Sequence, residues 1–122
     1  MTKRVLDVGN CDPDHSSITR LLQQNFAVDV VRVHNQAGAM SELEKSGFDL
    51  VLVNRLMDKD GSSGLEIIKA MKTGASAETP VMMITNFPDH QALAVAAGAE
   101  PGFGKAALSS SETLSLLTKY LG

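Results

Sequence analysis

Two short runs, Leu50-Val51-Leu52-Val53 and Val81-Met82-Met83-Ile84, are apolar at every position. A strand with one wet face alternates apolar and polar residues, so these runs predict strands covered on both faces, as in a parallel sheet. Covering both faces requires helices, and the rest of the chain supplies the pattern for them. Three further β-rich runs occur, at Val5-Leu6-Asp7-Val8, at Val28-Asp29-Val30-Val31-Arg32-Val33, and more weakly around Phe103. Between the runs the apolar residues take helical spacing. Ile18, Leu21 and Leu22 form one stripe, with Asp12 as the expected N-cap and Pro13 in the first turn. Met40 and Leu43 mark a second helix, and Leu65, Ile67, Ile68 and Met71 a third behind a Ser63-x-x-Glu66 capping box. An Ala-rich stretch from Pro88 to Gly98 reads as the fourth. Leu114, Leu117 and Leu121 mark the last, with Ser109-x-x-Glu112 as its capping box.

Five β runs alternating with five helical runs predict an α/β doubly wound sheet with right-handed crossovers. With 122 residues, short gaps and no repeat, residues 1–122 read as a single domain. A net charge of −3 leaves no basic footprint for nucleic acid. No run approaches a membrane span, and Met1-Thr2-Lys3-Arg4-Val5 does not open a signal peptide, so a cytoplasmic protein is expected. The single cysteine, Cys11, cannot pair within the chain.

In open α/β sheets, reacting groups collect beyond the carboxyl ends of the strands. Those ends carry Asn10-Cys11-Asp12, Asn54, Thr85-Asn86 and Lys105. Together with Asp12-Pro13-Asp14-His15, the run from Phe48 to Asn54, Gly64-Leu65-Glu66, Thr79-Pro80-Val81 and Ala97-Gly98-Ala99, this order resembles the receiver domain of bacterial two-component response regulators. The resemblance spans the full chain and implies the CheY-like, flavodoxin-like fold, with five parallel strands in the order 2-1-3-4-5 and five helices.

In working receivers an acidic pair after the first strand and an aspartate ending the third hold a divalent cation. That aspartate accepts a phosphoryl group in a phosphorelay, and a threonine or serine and a lysine contact its oxygens. By the resemblance, Thr85 and Lys105 match, whereas the acidic pair falls on Asn10 and Cys11 and the acceptor on Asn54. The aromatic switch position falls on Gly102, with Phe103 one place on, and Ala106 replaces the usual proline. Mg²⁺ needs hard, charged oxygen ligands, which an amide and a thiol do not provide. An amide is also a poor nucleophile beside a carboxylate. The site therefore reads as degenerate: no phosphoryl group at Asn54, no resident cofactor, Mg²⁺ binding weak or absent, and no catalytic residues.

Asp12 reads as the one carboxylate left near Lys105, pairing with it while Asn10, Asn54 and Thr85 close the hydrogen bonds. The same donors could instead form an anion pocket. Asp7, inside a buried strand, needs a polar partner that the sequence does not identify. Asp58 and Asp60 read as a solvated turn, His15, His34 and His90 as surface or helix-start residues, and Cys11 as a semi-buried inert thiol. Met82 and Met83 read as core.

The leading expectation is a pseudo-receiver acting in signal transduction through protein contact. By the resemblance, the 88–121 surface faces the partner, with Phe103 and Tyr120 as its aromatics and a second copy of the chain as one candidate occupant. The alternatives are a phospho-receiver that uses Asp12 or Asp58, a small anion-binding module, and a flavodoxin-like redox protein. A chain without tryptophan and with one tyrosine argues against the last. No Ser-His-Asp or Cys-His arrangement can be assembled from sequence order, so enzyme activity is not expected.

Overall fold

The computed structural model describes residues 2–122. Among the described residues five strands and five α-helices alternate: β1 (Lys3–Val8), α1 (Asp12–Asn25), β2 (Val28–Val33), α2 (Gln36–Lys45), β3 (Leu50–Asn54), α3 (Gly64–Lys72), β4 (Val81–Ile84), α4 (Pro88–Ala96), β5 (Glu100–Phe103) and α5 (Ser111–Leu121). A 3₁₀ turn, Lys105–Ala107, follows β5. All strands run parallel in the order β2-β1-β3-β4-β5. The expected fold is the one formed.

The two all-apolar runs occupy the middle of this sheet, where a period of two sends successive side chains to opposite faces. Leu50, Leu52, Met82 and Ile84 pack with Ile18 and Leu22 of α1 and Leu117 of α5. Val51, Val53, Val81 and Met83 pack with Ile67, Ile68 and Met71 of α3, Ala39 of α2 and Ala94 of α4. Both layers exclude water, which accounts for the lack of alternation in β3 and β4. The edge strands are shorter on apolar residues. β5 contains Pro101 and Gly102, which an edge position tolerates because one side of its backbone needs no ladder partner.

Helix starts differ from the sequence expectation in three places. The N-cap of α1 is Cys11, and Asp12 already lies inside the helix, with Pro13 in its first turn. Ser63 holds the N-cap position of α3 without a side-chain cap bond. For α5 the cap is Ser110, whose hydroxyl accepts from the Thr113 amide at 3.2 Å, so the Ser109–Glu112 box does not form. Side-chain caps compete with other local partners, and sequence spacing fixes them only to within a residue.

Candidate functional site

The loops at the carboxyl ends of the strands meet over Gly9. Its backbone has φ +76°, and an added Cβ would lie 2.5 Å from the Met57 side chain. Only glycine combines that conformation with such close approach. The loop after β3 consequently folds back over the end of β1, where the Asp58 amide donates to the Gly9 carbonyl at 3.0 Å. Asn54, at the end of β3, directs its Nδ2 to the same carbonyl at 3.2 Å and to the Leu56 carbonyl at 2.7 Å.

Asn54, Thr85 and Lys105 line one cleft of about 260 Å³, together with Arg55, Leu56, Asn86 and Phe87. Asn10, Cys11 and Asp12 do not line it. The Asn10 side chain is buried and donates from Nδ2 to Asp7 Oδ1 at 2.5 Å. Cys11 is exposed rather than semi-buried, and its thiol donates to Asp14 Oδ2 at 3.1 Å.

The expected Lys105–Asp12 pair does not form. Lys105 Nζ meets Asp14 Oδ2 at 2.5 Å, one helical residue pair further on, and Asp12 pairs with Arg32 at 2.8 Å. Asp12 is therefore not the one carboxylate near the lysine. The helix rotates Asp12 towards β2 and Asp14 towards β5, and the α1 N-terminus in the sequence carries no mark of that choice. Burial raises the Asp14 carboxyl, but hydrogen bonds from Lys105 and Cys11 outweigh it and hold it below the ordinary carboxylate range. The hydrogen bond from Arg32, with its charge, lowers Asp12 likewise.

His15 lies in the first turn of α1, a helix-start position as expected, and it and His34 both have carboxylate partners. His15 Nδ1 lies 2.5 Å from Oδ2 of Asp7, a carboxylate with no exposure to solvent. That imidazole and the Asn10 amide are the partners Asp7 needed. His34 Nδ1 lies 3.1 Å from Asp58, which is only 9% exposed and so is not part of a solvated turn. Asp60 is exposed and accepts from the Ser62 amide at 2.9 Å, as a turn residue does. Met82 and Met83 are buried core residues.

The other side of the cleft is fixed by α4. Thr85 is buried and its hydroxyl accepts from the Phe87 amide at 3.2 Å. Gln91 donates from Nε2 to the Met83 carbonyl at 2.9 Å and accepts from the Gly102 amide at 3.0 Å, tying α4 to β4 and β5. A Cβ at Gly102 would sit 2.2 Å from the Met83 carbonyl oxygen, so no side chain fits there. Phe103 is in the core between the sheet and α5, not on the surface. The exposed aromatic is Phe87, 52% accessible, with Arg55 stacked 5.5 Å from its ring centre.

Arg32, Asp14, Gln91 and Phe87 were not identifiable as site residues by motif. Arg32 carried one signal: β2 places it in register with Asp7, and both interrupt strands that are otherwise mainly apolar. Among the described residues no group of three or more His, Cys, Asp or Glu side chains is arranged to hold a metal ion.

A parallel sheet in the order 2-1-3-4-5, with a threonine and a lysine beyond the ends of its last strands, is the arrangement that the sequence resemblance implied. The family model for the response regulator receiver domain matches residues 12–105, and the chain belongs to that family. No curated protein matches it by sequence. Among solved structures it is similar to a protein assigned as a response regulator from Chloroflexus aurantiacus J-10-fl, at 17% identity, 98% coverage of both chains and a TM-score of 0.86. It is also similar to the chemotaxis response regulator CheY4 of Vibrio cholerae, at 21% identity over 99% of this chain and 100% of that one, TM-score 0.75. The signal receiver domain of a response regulator from Colwellia psychrerythraea 34H gives 23% identity over 96% and 98%, TM-score 0.79. No helix among the described residues is long and apolar enough to cross a membrane.

Proposed function

We propose that this receiver domain signals by protein contact and carries no phosphoryl group at position 54. The observation that carries this reading is the direction of the Asn54 hydrogen bonds. Its Nδ2 donates to two carbonyl oxygens, from Gly9 and Leu56. A carboxylate has no hydrogen to donate and would face both oxygens as a third negative group. The local structure is built around an amide.

The metal cradle of the family does not suit these residues either. Asn10 is turned inward to Asp7, Cys11 offers a soft thiol, and Asp12 and Asp14 are each engaged by a cation. Mg²⁺ retains water and takes one or two free carboxylates, which this arrangement does not leave available. Asp12 and Asp58, the alternative acceptors, both lie outside the cleft lined by Thr85 and Lys105. That separation favours the non-phosphorylated reading over a relocated acceptor.

The reading assigns a cytoplasmic, non-enzymatic role and a signalling protein as partner, docking on α4, β5 and α5. Phe87, Leu93 and Val95 are exposed at and beside α4 and provide its apolar contacts. With a side chain excluded at Gly102 and α4 held by Gln91, the surface does not depend on an aromatic switch.

Incubation with acetyl phosphate and Mg²⁺, read by intact mass, tests the reading. The expected spectrum is unchanged. A phosphoryl adduct mapped to Asp12 or Asp58 supports the relocated acceptor, and any adduct at residue 54 overturns the proposal.

A further inference from the structure

Arg32 reaches from the end of β2 into the loops on either side of Gly9. Its Nη2 donates to the Asn10 carbonyl at 2.9 Å, forms an ion pair with Asp12 Oδ1 at 2.8 Å, and lies 3.9 Å from Asp58 Oδ2. The three oxygens come from the loop after β1, the first turn of α1 and the loop after β3. Two are carboxylate oxygens and one is a carbonyl, a set of hard donors gathered around one positive group.

We propose that the Arg32 guanidinium is a tethered cation that holds the loops after β1 and β3 together, so that the carboxyl edge keeps its shape with no free divalent ion. The inference rests on the reading above in one respect, that the site needs no Mg²⁺.

The chemistry favours a guanidinium in this position. It is charged at every working pH and presents directed N–H donors that match carboxylate and carbonyl oxygens. Being covalently attached, it has no dissociation step and does not respond to chelators. Asp58 is only 9% exposed and shares its charge between Arg32 and His34. Without Arg32, its carboxylate would keep one imidazole contact in a place that water scarcely reaches, beside Asp12 and the Asn10 carbonyl. Lys59 and His34 add a weaker positive field at Asp12 and do not hydrogen-bond to it. The Asp58 backbone is held independently, by the hydrogen bond its amide donates to the Gly9 carbonyl. Removal of the guanidinium therefore leaves the Asp58 carboxylate and the Asn10 carbonyl in place, with Asp12, whose side chain is 87% exposed, free to turn onto the same ion.

That persistence makes the inference testable by thermal melts in EDTA or in millimolar Mg²⁺. The melting temperature of the unaltered protein is expected to be the same in both. Arg32→Met should melt about 5 °C lower in EDTA and recover a few degrees in Mg²⁺, because its vacated oxygens take a hard cation. Adding Asp58→Asn to that variant should abolish the recovery. Arg32→Lys, which keeps the charge, should melt nearer to the unaltered protein than Arg32→Met does.

An Arg32→Met melt equal to that of the unaltered protein in EDTA, or one that ignores Mg²⁺, overturns the tethered-cation role. If Arg32→Met does not fold, Arg32→Lys decides: a folded variant supports the role and an unfolded one refutes it. Mg²⁺ binding heat from the unaltered protein in calorimetry sinks the metal-free reading itself, a separate failure.

Discussion

At the carboxyl ends of β1 and β2, the ionisable groups Asp7, Asp12, Arg32, His34 and Asp58 all face opposite or polar partners. Beyond β3, β4 and β5 the same edge opens into a cleft whose lining, Asn54, Thr85, Asn86 and Lys105, is mixed with the apolar Leu56 and Phe87. The first half is held by electrostatics, dehydrated at Asp7 and Asp58, where unpaired charges are costly, and solvated at Asp12, whose side chain is 87% exposed. The second half keeps donors and a ring at the surface. One edge thus combines a rigid clamp with an accessible face, and the clamp positions the face because the β3–α3 loop belongs to both.

Replacing Asp7 by Ala gives the sharpest test of the closed half. It leaves the His15 ring and the Asn10 amide without their buried acceptor and should cost about 3 kcal/mol, read by urea unfolding. A cost below about 1 kcal/mol would mean that the carboxylate does not hold this half, since surface-like pairs have that value.

At the border of the open half, Gly102→Ala should cost about 2 kcal/mol, because the new methyl meets the Met83 carbonyl and must part β4 from β5. Hydrogen exchange should show faster exchange in β5 and in α4, which Gln91 ties to it. Unchanged protection there would break the link between Gly102 and α4.

Asn54→Asp comes next, at about 1–2 kcal/mol, as the Leu56 carbonyl loses its donor, the Gly9 carbonyl keeps only the Asp58 amide, and a carboxylate faces both. Thermal denaturation in EDTA measures it, and a variant as stable as the parent would remove the amide from the argument.

The smallest effect belongs to Lys105→Met. The Lys105–Asp14 pair is partly solvated, with both side chains 30% exposed, so its loss should cost less than about 1 kcal/mol. Its mark is the titration of Asp14. A lowered carboxyl binds its proton less readily folded than unfolded, so it stabilises the fold above about pH 4 and loses that contribution as pH falls through its lowered value. Without Lys105 the burial effect is left opposed only by Cys11. Asp14 should then titrate at higher pH by NMR, and the acid limb of the stability curve should lose the contribution of Asp14 and become shallower. An unmoved Asp14 titration would show that the ion pair does not set it.

The architecture was legible in the sequence because it depends on periodicity. Leu50–Val53 and Val81–Ile84 required cover on both faces, and the helical stripes at Ile18–Leu22 and Leu65–Met71 supplied it. Thr85, Asn54 and Lys105 were legible for a related reason: each ends or follows a strand, so topology brings them to one edge. The partners were less legible. Asp12 and Asp14 are two residues apart on a helix, and only its rotation against the sheet gives Arg32 to one and Lys105 to the other. Phe103 was expected at the surface and is not there for the same reason, since β5 turns it into the core, while the β4–α4 turn leaves Phe87 outside.

By itself the sequence determined a doubly wound parallel sheet and an amide at the end of its third strand, because apolar spacing and residue chemistry act locally. Tertiary structure decided which carboxylate met which cation, that Asp7 lay against His15, and that Gly102 had no room for a side chain. Those outcomes depend on the ångström-scale approach of segments distant in the chain, where Coulomb energy and steric repulsion vary steeply with separation.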